Sequence, residues 1–383
     1  MIKAEPMRED RWKSRRDSEG PLHMGRDIMY LKTGIFFAIL LAGSCRPAVS
    51  CTIFKITRDG ITLVGNNEDD NNPDTKIWIL APERGKHGLI FFGYNNSVAQ
   101  GGMNDQGLFF DWVADRPSPD WSRDPHRLNY PGSVSEKILE EAGTVEEALR
   151  FYEKYNETAF LKSRTLLVDK TGASAIVSWQ EGRVQVTRGK AIQALGYGYG
   201  TASSRLEKLG QLSIAAVSEV VEACLQSGEY PTQYSNVYDL SHREVYVYQY
   251  HQHKPVVKLN LQKEVLKGHH CYNISELSAQ VERPPITDSK TQPIVAIDSA
   301  VSATYAGRYL IPPDYILNVS AENGRLFIEA PDTSRMEMYP ASPTKFFMRC
   351  LDAYLLFNSR ENGPVGEVLL HVQGRETTGK RMN

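Results

Sequence analysis

Cysteine is scarce in this chain, five in 383 residues, and three absences narrow its class. Cys224, Cys271 and Cys350 are widely spaced and odd in number, which excludes a disulfide framework of the kind that staples small secreted domains. One bridge among them stays open, with no pairing assigned. There is no long basic block, so nucleic acid is excluded as the main partner. The longest early apolar run, Ile35 to Leu41, is too short to span a bilayer, and no later segment is apolar enough. Internal repeats and low-complexity tracts are also missing.

What is present begins with that short apolar run. Lys32 precedes it, small residues come after it, and Ala48-Val49-Ser50 has the shape of an export cleavage site. Residues 1–50 read as a polar extension plus signal peptide that is removed, with Met24 and Met29 as internal start candidates. The expected mature chain, 51–383, is long enough for one large domain, or a large and a small one. Taking the 9 basic and 6 acidic residues of 1–50 from the totals of 44 and 46 leaves a net charge of −5. The expected product is an exported protein, periplasmic or extracellular, with no transmembrane segment; self-association is left open. A minor alternative attaches lipid at Cys45, but Ala42-Gly43-Ser44 lacks the usual Leu three residues ahead.

Cleavage after Ser50 makes Cys51 the first residue. Its thiol, of pKa ~8.5, then stands beside an α-amine of pKa roughly 7.7–8.0. The amine serves as base for its own side chain, the logic of N-terminal-nucleophile catalysis.

Beyond Cys51 the pattern is mostly strand. Thr52 to Thr57 and Ile61 to Val64 flank the turn Arg58-Asp59-Gly60. Ile77 to Leu80, Leu89 to Phe92 and Leu108 to Val113 continue it. Ser133-x-x-Glu136 and Thr144-x-x-Glu147 are capping boxes, the second leading into an apolar face of Val145, Ala148, Leu149 and Tyr152. Strands resume at Thr165 to Val168, Ala175 to Trp179 and Val184 to Thr187. A helical stretch is predicted over Ser203 to Gln226, then strands at Val237 to Leu240, Val245 to Tyr250 and Val256 to Leu259. Antiparallel runs with grouped helices favour an α+β fold over a parallel α/β sheet. The domain reading is 51–280 for the main domain, 281–300 for a Pro-containing linker and 301–383 for a small all-β domain. His269-His270-Cys271 is read as ordinary loop chemistry, since three consecutive residues do not converge on one metal ion.

Three blocks in order carry a resemblance: Cys51-Thr52-x-Phe54, Gly65-Asn66-Asn67-Glu68-Asp69, and Gly101-Gly102-Met103-Asn104-Asp105-Gln106-Gly107-Leu108. Together with Tyr234 to Leu240 they resemble the linear-amide hydrolases with an N-terminal Cys, the choloylglycine hydrolases, penicillin V acylases and related acyltransferases. The resemblance implies an αββα four-layer sandwich over about residues 51–275, succeeded here by a β-domain that looks lipocalin-like. It also implies a small-molecule amide substrate and no metal or organic cofactor. Asp69, 18 residues after the Cys, occupies the place of an Asp that orients nucleophile and amine. Ser203-Ser204-Arg205 resembles a block that brings a guanidinium near the Cys, making Arg205 the third catalytic candidate. Asn66 departs from the Arg common in choloylglycine hydrolases, and the Gly-rich stretch Gln193 to Gly200 lacks their oxyanion Asn. Asn67 is the side-chain candidate for that hole; Asn104 is assigned to shaping its turn.

The leading expectation is an exported amidohydrolase working through a thioester on Cys51. One rival keeps the site but passes the acyl group to another acceptor. A second is an exported binding protein whose site has been silenced.

Overall fold

The computed structural model describes residues 51–95, 98–130, 132–249, 257–277, 294–322, 324–330, 336–348, 353–358, 365–372 and 374–382. The chain opens with a hairpin of β1 (Thr52–Arg58) and β2 (Ile61–Asp69). Its turn residues, Asp59 at φ 52° and Gly60 at φ 77°, form the left-handed turn that matches the twist of paired strands. Then come β3 (Thr75–Leu80), β4 (Leu89–Tyr94), β5 (Ala99–Asn104) and β6 (Leu108–Ala114). A two-residue ribbon of β7 (Leu128–Asn129) and, further on, β8 (Tyr155–Asn156) brackets α1 (Val134–Glu141) and α2 (Val145–Lys154). Next are β9 (Ser163–Asp169), β10 (Ser174–Gln180), β11 (Arg183–Arg188) and β12 (Ile192–Gly196), then α3 (Tyr199–Glu207) and α4 (Ile214–Glu222). The first part closes with β13 (Thr232–Asp239), β14 (Glu244–Gln249), β15 (Val257–Asn260), α5 (Leu261–Glu264) and β16 (His270–Asn273).

Two antiparallel sheets result. One has six strands in the order β12-β1-β2-β13-β14-β15, the other eight in the order β11-β10-β9-β6-β5-β4-β3-β16. A single core joins them: Ile53 and Val64 from the first sheet lie with Ile77, Ile90, Phe109 and Val168 from the second. On the outer face of the six-stranded sheet, Ala202 and Leu206 of α3 and Val217, Val220 and Val221 of α4 cover Phe54 and Leu63. On the outer face of the eight-stranded sheet, Ile138 and Leu139 of α1 and Leu149 and Tyr152 of α2 cover Phe91 and Phe110. Strand alternation sends Ile53 inward and Phe54 outward, so one strand serves both layers.

Both predicted N-caps form. The Ser133 side chain accepts from the Glu136 N–H and the Thr144 side chain from the Glu147 N–H. The single helical stretch expected over Ser203 to Gln226 is instead two helices. Ser213 caps α4 by accepting from Ala216 N–H, and Gly210 in the intervening loop favours the break. The Gly-rich stretch Gln193 to Gly200, read as a turn, is mostly the strand β12 and the entry to α3. Strand β5 has no counterpart in the sequence pattern. Its Ala99-Gln100-Gly101-Gly102 has poor strand propensity, yet Gly101 is required because a side chain there would overlap Asp111 on β6.

Residues 281–293 of the expected linker lie outside the described residues. At Ser299 the helix α6 (Ser299–Tyr305) begins, and it belongs with the C-terminal strands: the Tyr309 hydroxyl donates to the Tyr305 carbonyl at 2.8 Å. The small β-domain is a closed barrel of β17 (Gly307–Ile311), β18 (Tyr315–Glu322), β19 (Arg325–Glu329), β20 (Met336–Pro340), β21 (Lys345–Met348), β22 (Ala353–Asn358), β23 (Glu367–Val372) and β24 (Arg375–Arg381). Pairing of Tyr309 with Arg381 closes it. Side chains including Leu317, Leu326, Leu355 and Phe357 form its core, as eight strands allow. No helix among the described residues is long and apolar enough to cross a membrane.

Asn104 is the joint between the second sheet and α1. Its Nδ2 donates to the carbonyls of Leu139 at 2.9 Å and Ala142 at 2.6 Å, two orphan acceptors at a helix end. Its Oδ1 accepts from the N–H groups of Gln106 and Leu108. Asn104→Ala is expected to lower stability by about 2–4 kcal/mol, four buried bonds being lost. A urea titration should show a lower midpoint; an unchanged midpoint would show that the turn holds without them.

Candidate functional site

Cys51 lies at the entry to β1, which is paired on both sides, by β2 and by β12. Its carbonyl accepts from the Tyr197 N–H at 3.2 Å. Gly196, at φ 95°, passes so close that a Cβ would overlap this carbonyl oxygen, so only glycine fits. The Gly-rich stretch therefore holds the main chain of Cys51. Its side chain is partly buried, with the thiol 3.2 Å from Glu68 Oε2, to which it donates. The Asp69 N–H donates back to the sulfur at 3.4 Å.

Alternation along β2 sorts the block Asn66 to Asp69. Asn66 and Glu68 face the second sheet. Asn66 Nδ2 donates to Glu68 Oε1 at 3.2 Å and to Asp111 Oδ2 of β6 at 2.9 Å, bridging two buried carboxyl groups. Asn67 and Asp69 face the other way. Asn67 donates to the Val221 carbonyl of α4 at 3.0 Å and accepts from Ser235 at 2.7 Å, which ties it to the helical side. The Asp69 carboxylate accepts from Gln226 Nε2 and Thr232 Oγ1. Asp69 thus touches Cys51 through its main chain, while its side chain anchors the strand end. Arg205 is exposed on α3, and its charge acts on Cys224, a second free thiol that burial pushes up to about 11.

The electrostatics are one-sided. Burial first, then the charges of Glu68 and Asp69, push the Cys51 thiol well above its ordinary value; the Asp69 N–H opposes them. Burial raises Glu68 to about 8 and Asp69 to about 7, and raises Asp111 as well, with Glu68 adding to the rise. Among the described residues no ion pair reaches Glu68, Asp69 or Asp111. Glu68 and Asp111 are not singled out by the sequence. Glu68 stands inside a motif block, and a lone Asp within the apolar run Leu108 to Val113 is the available signal for Asp111.

The triplet His269-His270-Cys271 has other work. His269 Nδ1 accepts from the Ala81 N–H at 3.1 Å, and its Nε2 lies 3.3 Å from Arg325 of the barrel. Arg325 also bonds Glu83 at 3.1 Å. His270 bonds Glu264 at 3.0 Å, and Cys271 is disulfide-bonded. A cavity of about 100 Å³ lies here, lined by Trp78, Leu80, His269, Phe327 and Met336. It borders the Leu80 end of β3, whereas Tyr94, whose hydroxyl feels the Glu68 and Cys51 charges, pairs with Thr75 at the other end. The cavity and the thiol are separate places.

No family model matches the chain. Among curated proteins, penicillin-binding protein 4* of Bacillus subtilis (strain 168) is 34% identical over 100 residues, 26% of this chain. The chain spans about a fifth of that relative's length. Among solved structures, penicillin V acylase from Agrobacterium tumefaciens gives a TM-score of 0.45 at 14% identity, covering 60% of this chain and 89% of that one. Conjugated bile acid hydrolase from Clostridium perfringens gives 0.45 at 14%, covering 61% and 99%. The Caenorhabditis elegans ortholog of N-acylethanolamine-hydrolyzing acid amidase gives 0.37 at 13%, covering 50% and 93%. Likeness at these scores leaves function to the geometry of the site.

Raised carboxyl pKa values fix a sign for stability. Between about pH 4, where such groups titrate unfolded, and pH 7–8, the folded chain binds more protons than the unfolded one. Stability from Glu68 and Asp69 is therefore complete below pH 4 and declines as pH rises through that window. Urea midpoints of the unprocessed chain should fall from pH 5 to pH 8, and less steeply in Glu68→Gln. Equal slopes in both proteins would mean that Glu68 ionises as it does in water.

Proposed function

We propose that this protein is an exported hydrolase of linear, non-peptide amides that uses Cys51 as an N-terminal nucleophile. The observation that carries this is the thiol at the head of an interior strand, held by Gly196 and Tyr197 and contacted by the Asp69 N–H and Glu68. The order of the three sequence blocks supports it, as do sheets covered by helices on their outer faces.

In the proposed reaction the Cys51 sulfur adds to the amide carbonyl carbon as the thiol proton passes to the α-amine. The C–N bond breaks as the resulting α-ammonium of Cys51 gives that proton to the leaving amine. A thioester remains, water adds to it with loss of a proton to the α-amine, and the acid leaves as sulfur takes that proton back and the thiol reforms. Release of that amine also brings a cation to a site that holds three carboxyl groups, which favour its charged form. Asp69 serves by fixing the end of β2 and presenting its N–H to sulfur. Neither metal nor organic cofactor enters these steps.

The test begins with the secreted protein, whose N-terminal residue should be Cys51. Any other start removes the amine from the mechanism. Cys51→Ser should retain the fold and lose most turnover on a panel of N-acyl p-nitroanilides and phenoxyacetyl amides, because a hydroxyl replaces the thiol. Unchanged turnover in that variant would take Cys51 out of the reaction. Wild-type protein that cleaves none of the panel yet binds it would favour a silenced binding protein, the reading consistent with the raised thiol pKa.

A further inference from the structure

Glu68 is the side chain nearest to the chemistry that this reaction leaves unused. Its Oε2 is 3.2 Å from the Cys51 sulfur, and the thiol is the donor in that contact. Its Oε1 is 3.2 Å from Asn66 Nδ2, and the same nitrogen is 2.9 Å from Asp111 Oδ2. Asn66, Glu68 and Asp111 are each 1% exposed or less. A buried amide nitrogen shared by two carboxyl groups cannot compensate two negative charges. Other groups that act on Glu68 or Asp111 are Asp69 at the end of β2, Asp70 just past it and the Trp112 N–H beside Asp111, while Tyr234 and Tyr238 of β13 and Tyr94 of β4 feel the charge of Glu68. None of them is a cation. Among the described residues, the Oδ1 atoms of Asp111 and Asn66 are buried acceptors with no hydrogen-bond partner. A proton kept on the carboxyl pair supplies a donor among these acceptors.

We propose that Glu68 is a catalytic residue that accepts the thiol proton of Cys51, with Asn66 and Asp111 as positioning residues that set how tightly Glu68 holds it. This rests on the nucleophile reading above and divides the acid–base work in two. As sulfur adds to the carbonyl carbon, its proton moves to Glu68 Oε2. The α-ammonium gives its own proton to the leaving amine. When water adds to the thioester, the α-amine takes a proton from that water, and Glu68 returns its proton to sulfur. Every proton is restored at the end of the cycle, and no outside acid, base or oxidant is needed. Asn66 fits this role where an arginine does not: a cation between the two carboxyl groups would lower their affinity for the proton. The departure from the choloylglycine-hydrolase pattern and the presence of two facing carboxyl groups then have one explanation.

The experiment compares two rates in mature wild-type and Glu68→Gln protein. Both are read at pH 9, above the value near 8 of Glu68, so that it is ionised. One is alkylation of Cys51 by iodoacetamide, in which solvent hydroxide takes the thiol proton, read by peptide mass spectrometry with the Cys224 peptide as internal control. The other is kcat on the best N-acyl p-nitroanilide. The proposal expects opposite movements. Alkylation should rise several-fold, because a carboxylate that disfavours the thiolate is gone. Turnover should fall about 10²-fold or more at unchanged KM, because the proton acceptor is gone. Rates that fall together would mark Glu68 as structural, and rates that rise together would mark it as merely inhibitory; either overturns the proposal. Asp111→Asn provides a second variant if Glu68→Gln does not fold. Removing its charge should move the acid limb of kcat/KM to lower pH, and a stationary limb would also overturn the relay. Alkylation needs no substrate, so unchanged labelling in Glu68→Gln refutes this proposal even where no amide is cleaved. Absent turnover with raised labelling refutes both the amidase reading and the relay built on it, leaving only the thiol–carboxyl contact.

Discussion

Holding carboxyl groups and a thiol together out of water is the constraint that organises this molecule. An ion moved from water into a protein interior loses several kcal/mol even after relaxation, and a cation normally compensates it. Here Glu68 and Asp111 share one amide nitrogen, while Asp69 is held by Gln226 and Thr232. The cost is met in part by keeping protons, which is why Glu68 and Asp69 sit near 8 and 7 rather than near 4. Such a group is poised in the range where an enzyme exchanges protons, and the arrangement is costly unless it is used.

The rest of the fold keeps those groups in register. Five strands from two sheets contribute: β1 brings Cys51, β2 brings Asn66 and Glu68, β6 brings Asp111, and β4 and β13 bring Tyr94 and Tyr234. Aromatic rings seal the adjoining core, with Phe109 against Tyr238 at 4.9 Å and Phe92 against Tyr234 at 6.0 Å. Gly101 lets Asp111 approach the neighbouring strand, and Gly196 lets β12 clasp the main chain of Cys51. Small residues at these two points do what larger ones do elsewhere in the core: they fix distances.

Local features are legible in the sequence and nonlocal ones are not. The hairpin at Asp59-Gly60, the two N-caps and the turn that Asn104 shapes are decided by residues within four positions of one another. The bonds of Asn104 to the end of α1 are not. The spacing from Cys51 to Asp69 is readable because one hairpin sets it. That spacing does not tell main chain from side chain, and it is the Asp69 N–H that reaches the sulfur. Asp111 is 45 residues from Asn66, and only the pairing of sheets brings them together. Strand β5 is hidden for a related reason, its glycines being chosen by a neighbour rather than by strand propensity. Reading the His269 triplet as loop chemistry misses that His270 and Cys271 lie in β16, and its task of joining sheet to barrel through Arg325 depends on a residue 56 positions away.

The position of Cys51 in the ladder ties these points to its chemistry. Pairing of β1 starts at Thr52, opposite Asn67 on one side and Gly196 on the other. Cys51 stands one residue before the first rung, and its carbonyl is already held by Tyr197. A thiol placed so is held from two directions, its main chain by Tyr197 just past β12 and its sulfur by Glu68 and the Asp69 N–H of β2. On the proposed reading, the same one-residue offset serves a sheet whose first rung is Thr52 and a thiol that uses its own amine.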